Sequence, residues 1–259
     1  MKSHFILFLL ISNLCFGQNW MGEVMVGTSA YNGDLTQSPV SLKRLNPAMS
    51  VGLKYNSGDF FNFRVDLVFE KVSANDQDNK SSFLKARNLN FKSSILEFSA
   101  SFEFLLMDPS IYEQYPYLFA GLGFFHFNPY TYDDNGKKTY LHPLSTEGEG
   151  LSEYGRKDYS LTQPCIPVGF GLKMNRGKDW QLNFEFGYRW LFTDYLDDVS
   201  KTYVSIETLN LKKGPEAAEL SYRKVNVPFG EEGYPRGNPK VKDYYFFTGL
   251  KVCYKLNKK

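Results

Sequence analysis

The sequence predicts an all-β fold, an eight-stranded antiparallel up-and-down transmembrane β-barrel with long extracellular loops. Three observations support this prediction. Residues 180–192, W-Q-L-N-F-E-F-G-Y-R-W-L-F, alternate between apolar and polar side chains. Long and short connections alternate along the chain. Aromatic residues make up 17% of the sequence although its mean hydropathy is only −0.38.

One face of the 180–192 segment carries only aromatic side chains and leucine, among them Phe184, Phe186 and Trp190. This period of two predicts a β-strand with one apolar and one polar face. A lipid-facing strand needs about 9–11 residues, with aromatic side chains near both ends, and this segment has both features. The chain has no run of about 18 apolar residues, so no transmembrane helix is predicted.

The same alternation recurs along the chain, most weakly in the glycine-rich fifth segment. We predict strands over residues 20–30, 47–55, 61–70, 91–106, 117–127, 165–174, 180–192 and 244–256. Short connections at 56–60, 107–115 and 175–179 alternate with long ones at 31–46, 72–90, 128–164 and 193–243. A short helix is predicted inside the last loop over residues 215–223, because Pro215 suits a first helical turn.

Outer-membrane barrels place short turns in the periplasm and long loops outside the cell. We therefore expect the protein in the cell outer membrane, with both the N- and C-termini in the periplasm. Residues 1–17 are predicted to be a signal peptide, with Lys2 before an apolar stretch and Gly17 at its end. Residues 18–259 would then form the barrel domain. Lipidation at Cys15 is disfavoured because the bulky Phe16 follows it.

Charged side chains occupy the inward-facing positions of the predicted strands. The set comprises Glu23, Lys54, Arg64, Asp66, Glu70, Glu97, Glu103, Lys173, Glu185, Arg189 and Lys251. An eight-stranded barrel is only wide enough for side chains to fill it, and buried charges persist only when paired. We predict a lumenal ion-pair network that closes the barrel; a narrow channel is the alternative.

The predicted topology also separates the two cysteines of the mature chain. Cys165 begins the sixth strand and Cys253 lies near the end of the eighth, and both of these strands run toward the periplasm. Their depths would differ by roughly 20 Å, whereas a disulfide needs Cα atoms within about 7 Å. We therefore predict two free thiols.

Several short sequence words resemble one family. They are Y-N-G-D-L (31–35), R-N-L-N-F-K-S (87–93), P-Y-L-F-A-G-L-G (116–123), F-N-P (127–129), L-S-T-E-G-E-G (144–150), F-T-D-Y-L-D-D-V-S (192–200) and the C-terminal Y-F-F-T-G-L-K-V-C-Y-K-L. Together they resemble the PorG-like outer-membrane barrels of Bacteroidetes. The resemblance implies a barrel component of the type IX secretion system that associates with a periplasmic ring of PorK–PorN type. It supplies no catalytic residues.

Two functions remain open. The first is a non-enzymatic barrel that anchors a periplasmic ring assembly to the outer membrane, with a periplasmic contact rim that includes Asp108, Tyr112, Glu113, Arg176 and Lys178. The second is a surface-facing barrel whose extracellular loops bind a ligand or partner. The expected partners are outer-membrane lipid and, by resemblance, the secretion ring. Nucleic acid is not expected, since the net charge is only +2.

Other chemistry is poorly supported by the residues. An outer-membrane hydrolase would use a serine and a histidine, but His126 has no evident serine or acid partner in its register. The acids Asp194, Asp197 and Asp198 lack the glycine and distal glutamate spacing of a calcium loop, so we interpret them as turn or capping residues. No cofactor and no metal is expected.

Overall fold

The computed structural model describes residues 20–38, 43–57, 60–224 and 232–256, so the predicted signal peptide lies outside the described residues. Eight long strands form the barrel wall. They are β1 (Trp20–Asn32), β2 (Asn46–Asn56), β3 (Phe61–Asn75), β4 (Asn90–Leu105), β5 (Gln114–Phe127), β8 (Thr162–Arg176), β9 (Trp180–Leu191) and β10 (Tyr244–Lys255). The remaining strands, β6 (Tyr130–Tyr132) and β7 (Lys138–Tyr140), form a hairpin within one loop.

Antiparallel pairing closes the barrel. Each wall strand pairs with its neighbour in the wall, and β1 pairs with both β2 and β10. The prediction of an eight-stranded antiparallel barrel is therefore confirmed. In the part of the chain that the structure describes, no helix is long and apolar enough to cross a membrane.

The outward face of the wall is an apolar belt. Phe102 is 64% exposed and Leu122 is 72% exposed, values that would be costly in water for so many side chains at once. Aromatic rings meet across neighbouring strands, as Phe186 does with Phe170 and Phe246. The alternation along β9 thus places its aromatic face outside and its polar face in the lumen.

The two ends of the barrel differ. The end that carries the short connections, with the first and last described residues Trp20 and Leu256, is called the turn end, and the opposite end is called the loop end. At the loop end the long connections form a folded cap, which contains the β6–β7 hairpin and the helices α1 (Ser82–Arg87), α2 (Ile206–Lys213) and α3 (Pro215–Ser221). The predicted helix at 215–223 is confirmed as α3, which ends two residues earlier.

The cap packs on the barrel through an apolar core. This core runs without a break from the lumen into the loops, so the cap closes the loop end. Its fully buried members include Tyr31, Val72, Leu89, Phe91, Phe125, Phe127, Leu141, Leu191, Leu196, Val199, Leu220 and Tyr245.

Both cysteines face the lumen as buried free thiols. Cys165 is paired in register with Leu191 and Cys253 with Gln181, so they lie ten residues apart along β9, or roughly 33 Å at the rise of a strand. Denaturing alkylation followed by mass spectrometry should therefore label two thiols in the mature chain. A Cys165–Cys253 disulfide would contradict this strand register.

Candidate functional site

Eight of the charges predicted for the lumen lie together in the half nearer the turn end, and we call them the lower network. They are Glu23, Lys54, Arg64, Asp66, Glu103, Lys173, Glu185 and Lys251, all 5% exposed or less. The Arg64 guanidinium lies at the centre, 3.1 Å from Glu103 and 2.5 Å from Glu185. Lys54 Nζ lies 2.9 Å from Glu23 at one side. Four acids and four bases make this network electrically neutral.

Two further lysines link the lower network across the lumen. Lys251 Nζ lies 3.4 Å from Glu185 and 3.6 Å from Glu23. Lys173 forms an ion pair with Glu103. Each cation thus contacts at least one carboxylate, which is the condition under which buried charges are tolerated.

Aromatic side chains fill the space around these charges. The Arg64 guanidinium lies 4.3 Å from the centre of the Phe119 ring, and Lys173 Nζ lies 4.7 Å from that of Tyr117. The Tyr117 hydroxyl donates a 2.5 Å hydrogen bond to Glu185. An added Cβ at Gly171 would lie 2.5 Å from the Tyr117 ring, so glycine is required where this ring crosses the lumen.

The remaining predicted charges, Glu70, Glu97 and Arg189, lie nearer the loop end. Arg189 Nε donates to Glu97 at 2.6 Å, and the Tyr245 hydroxyl donates to the same carboxylate at 3.0 Å. Glu70 is buried, and neither of its carboxylate oxygens accepts a hydrogen bond within the described chain. It was predicted as a member of the ion-pair network, but the structure gives it no ion pair with a described residue. The upper lumen therefore has two acids and one base.

This imbalance predicts different responses to two matched substitutions. Glu70→Gln removes no ion pair, so we expect the free energy of unfolding to stay within about 0.5 kcal/mol of the parent or to rise. Glu103→Gln strands Lys173 and part of Arg64, so we expect a loss of about 3 kcal/mol. Denaturant unfolding of the refolded barrel in detergent measures both. Equal losses in the two variants would contradict the assignment of Glu70.

The cap contains a second buried polar cluster, organised by two arginines. Arg87 makes a two-pronged contact with Asp76, at 2.7 Å for each bond, and also donates to the backbone carbonyl of Arg236 at 2.6 Å. Arg236 donates to Glu147 at 3.1 Å and to the Asp198 carbonyl at 2.6 Å. Arg87 also donates to the Asp34 carbonyl at 2.9 Å, so the two guanidinium groups tie four separate loops together.

Acidic side chains outnumber these arginines in the cap. The Tyr31 hydroxyl lies between the carboxylates of Asp197 and Asp243 and donates its proton to one of them. The distance from the hydroxyl oxygen to Asp243 is 3.1 Å. Asp194 accepts from Ser200 Oγ at 2.8 Å through one oxygen, and its other oxygen has no partner in the described chain.

Burial is the main cause of the raised pKa values of these acids. It raises the pKa of Asp194 to about 7 and that of Glu149 to about 8. The pKa values of Asp197 and Asp243 are well above the usual range, first because of burial and then because of neighbouring carboxylates. Around neutral pH the cap therefore holds protons that an unfolded chain would release.

The short sequence motifs that carry the family resemblance contribute residues to this polar cluster. Tyr31 and Asp34 come from the first word, Arg87 and Leu89 from the second. Residues 144–150 supply Glu147, and residues 192–200 supply the acids that contact Tyr31 and Ser200. These acids accept backbone and hydroxyl hydrogen bonds, as predicted for turn residues. No group of three metal-ligating side chains occurs in the ranges that the structure describes.

An open cleft lies at the edge of the cap. Its volume is about 460 Å³, and the buried Tyr31 is one of its lining residues. Its lining combines polar side chains, such as Gln37, Lys43, Asn75 and Lys80, with apolar ones such as Leu35.

The predicted periplasmic rim residues lie at the turn end. Asp108, Tyr112 and Glu113 occupy the connection between β4 and β5, where Tyr112 is 47% exposed and its neighbour Ile111 is 70% exposed. Lys178 is exposed in the turn between β8 and β9. Arg176 ends β8, and its side chain lies outside the described part of the structure.

His126 lies on the outward face of β5, where its Nδ1 is 3.0 Å from Thr162 Oγ1. No acid contacts it among the described residues. Of the groups that a hydrolase would need around this histidine, the described environment supplies a hydroxyl, that of Thr162, but no orienting acid.

A protein-family model described as "Domain of unknown function (DUF6089)" matches residues 2–214. No curated protein sequence matches the chain. Neisserial surface protein A is similar in structure, with a TM-score of 0.47 and 10% identity over 92% of this chain and 97% of that one. Outer membrane protein OprG from Pseudomonas aeruginosa gives 0.45 and 8% over 92% and 97%. A major outer membrane protein from Thermus thermophilus gives 0.44 and 11% over 92% and 99%.

Proposed function

The chain belongs to the DUF6089 family, and from that premise we propose that it is a non-enzymatic outer-membrane barrel that anchors a periplasmic secretion assembly. The filled lumen is the observation that carries this proposal. Eleven buried charges and the surrounding aromatic rings occupy the space that a pore would need. The apolar belt supports insertion in a bilayer, with the turn end and both termini in the periplasm.

The turn end supplies the surface for the proposed contact with a partner protein. Ile111 and Tyr112 are exposed there beside Asp108, which is an arrangement suited to a mixed apolar and polar contact. The resemblance to PorG-like barrels supports a ring of PorK–PorN type as the partner and type IX secretion as the process.

Single-channel recording in planar bilayers tests the closed lumen. We expect no stable conductance steps from the refolded, heat-modifiable barrel, because the lower network and the cap block the path in series. Stable steps would overturn the closed-lumen proposal in favour of a narrow channel.

Site-specific photo-crosslinking in cells tests the partner. A photoreactive amino acid at position 112 should give an adduct with a periplasmic protein, whereas one at position 211, which is 77% exposed on the cap, should not. Position 102, in the lipid-facing belt, provides the matched background. Adducts at 211 alone would contradict the anchoring role.

A second function, recognition of a ligand or partner by the extracellular loops, is favoured by one observation. The cap is a folded layer with a buried polar cluster, and it leaves an open cleft beside Tyr31. Such order is unusual for long connections unless they bind something. Protein adducts from position 211 in the crosslinking experiment would support this function instead.

A further inference from the structure

Three exposed lysines lie on one side of the barrel, just beyond the apolar belt at the loop end. They are Lys71 on β3, Lys92 on β4 and Lys138 on β7. Lys71 and Lys92 are diagonal neighbours, since Lys71 is paired in register with Ser94 and Lys92 with Ser73. The β6–β7 hairpin continues this surface, because Lys92 is also paired with Tyr130.

The depth of these lysines matches a lipid headgroup layer. On β3, Lys71 is the first outward residue after Phe69 of the belt. On β4, Lys92 is the second outward position after Leu96. Each outward step advances about 5 Å in depth for a strand tilted near 40°. Lys71 and Lys92 therefore lie about 5–10 Å beyond the belt, and Lys138, paired in register with Tyr132, lies one step farther out. The flexible stems of the lysines can reach back to the interface.

Tyrosine rings hold two of the ammonium groups in place. Lys138 Nζ lies 4.0 Å from the centre of the Tyr130 ring and 4.6 Å from that of Tyr140. Lys92 Nζ lies 5.2 Å from the centre of the Tyr132 ring. A cation–π contact holds the ammonium group in position but does not neutralise its charge, so the group can still bind an anion. Tyrosine is also enriched where proteins meet the membrane interface.

These lysines form no ion pair with a carboxylate of the described residues. The acids of the nearby hairpin turn have other partners. Asp134 pairs with Arg223 at 3.2 Å, and Asp133 accepts backbone N–H groups within the turn.

The three lysines lie on neighbouring elements of one side of the barrel. The outward residues that follow the belt on β1, β2 and β8 are uncharged: Thr28, Pro47 and Pro164. Lys242, just before β10 on the other side of the barrel, is also exposed, but it lies near Asp194. The three lysines therefore differ from it in forming a cluster without a paired acid among the described residues.

We propose that Lys71, Lys92 and Lys138, with Tyr130, Tyr132 and Tyr140, bind the phosphate groups of an outer-leaflet glycolipid. The inference rests on the proposed outer-membrane insertion, with the loop end facing outward. Basic residues near a membrane surface attract anionic lipid headgroups, and phosphate oxygens are strong acceptors for ammonium groups. The belt below the lysines would contact the acyl chains of the same lipid.

The test uses the full mature chain refolded into phosphatidylcholine nanodiscs that contain a small fraction of bisphosphorylated lipid A. After mild detergent release, native mass spectrometry counts the lipid A retained on each barrel. We compare the parent with a Lys71→Gln, Lys92→Gln, Lys138→Gln triple variant. The matched control changes Lys157, Lys178 and Lys240 to Gln, which removes the same charge from exposed positions elsewhere.

We expect the site variant to lose about 100-fold in lipid A affinity, near fivefold for each lysine, and the control to keep the parent's affinity. The same three positions changed to Arg should retain binding. Equal retention by the site and control variants would overturn the proposal, as would equal retention of dephosphorylated lipid A by the parent. Displacement of lipid A by inorganic phosphate at matched concentration would assign the site to a soluble anion instead.

Heat-modifiable gel migration of the same samples distinguishes failure of the headgroup site from failure of membrane insertion. A barrel that inserts but shows no phosphate preference overturns only the headgroup site. A chain that fails to insert overturns the outer-membrane proposal as well.

Discussion

Arg189→Ala should lower the free energy of unfolding by about 3–5 kcal/mol, because it removes the only cation that contacts Glu97 among the described residues. The Arg189 side chain is buried, donates to Glu97 at 2.6 Å and packs 4.6 Å from the centre of the Phe247 ring. Its loss leaves Glu97 and Glu70 in one closed chamber without a compensating charge. Denaturant unfolding in detergent micelles, followed by tryptophan fluorescence, measures the effect.

A double substitution isolates the charge effect from the lost packing. Arg189→Ala combined with Glu97→Gln should recover part of the loss, because the stranded carboxylate is then gone. Lys178→Ala, in an exposed turn, is the control and should change stability by less than about 0.5 kcal/mol. Parent-like stability of Arg189→Ala would remove this residue from the lumenal network.

The barrel wall was predictable because apolar outward-facing residues alternate with polar lumen-facing residues along each strand. The 180–192 segment shows this most clearly, and the observed strand, Trp180–Leu191, differs by one residue. Other strands extend past the predicted limits, at positions where the alternation of apolar and polar residues stops. In β3 the residues Val72, Ser73 and Ala74 are all buried, because both faces of the wall meet protein at the cap. Alternation ends there, although the strand continues to Asn75.

The lumenal charges were predictable as inward-facing residues, but their pairing was not. Arg189 on β9 meets Glu97 on β4 across the lumen, and that contact depends on barrel stagger and side-chain length. Strand alternation defines only the face on which a residue lies. The same limit explains why Glu70 was grouped with paired charges, although it contacts none of the described cations.

The cap was predicted only as long loops with one helix. Its central arginine, Arg236, binds backbone carbonyls as well as Glu147, and carbonyl acceptors leave no trace in the sequence. The β6–β7 hairpin has strands of three residues, too short for a periodic signal. The sequence did carry one signal for the cap: the short motifs at 31–35, 87–93, 144–150 and 192–200 mark the segments that meet there.

The cap should loosen as the pH rises through neutrality, because its buried acids hold protons in the folded state. The pKa of Asp34 is raised to about 6 and that of Asp194 to about 7, in both cases first by burial. An acid with a folded pKa above its unfolded value stabilises the fold when protonated, and that stability is lost between the two values. For Asp194 the window runs from about pH 4 to about pH 7.

Hydrogen exchange with mass spectrometry measures this loosening when rates are corrected for intrinsic chemistry. We expect local opening of the cap around Leu196 and Val199 to increase about 30-fold between pH 5 and pH 8.5, or about 2 kcal/mol after allowance for solvent screening. These two amides donate to Asp243 and Asp197, so they report on the acids directly. The strands at the turn end serve as the internal reference.

Asp194→Asn separates this effect from a general alkaline destabilisation of the protein. The substitution keeps an acceptor for Ser200 Oγ but cannot ionise, so it should flatten the pH dependence of cap opening. Glu207→Gln, at an exposed position of α2, should leave that dependence as in the parent. Protection that increases from pH 5 to pH 8.5 would show that these acids are ionised in the folded cap. The arginines Arg87 and Arg236, with Lys242 near Asp194, would then have to outweigh the cost of burying the charges.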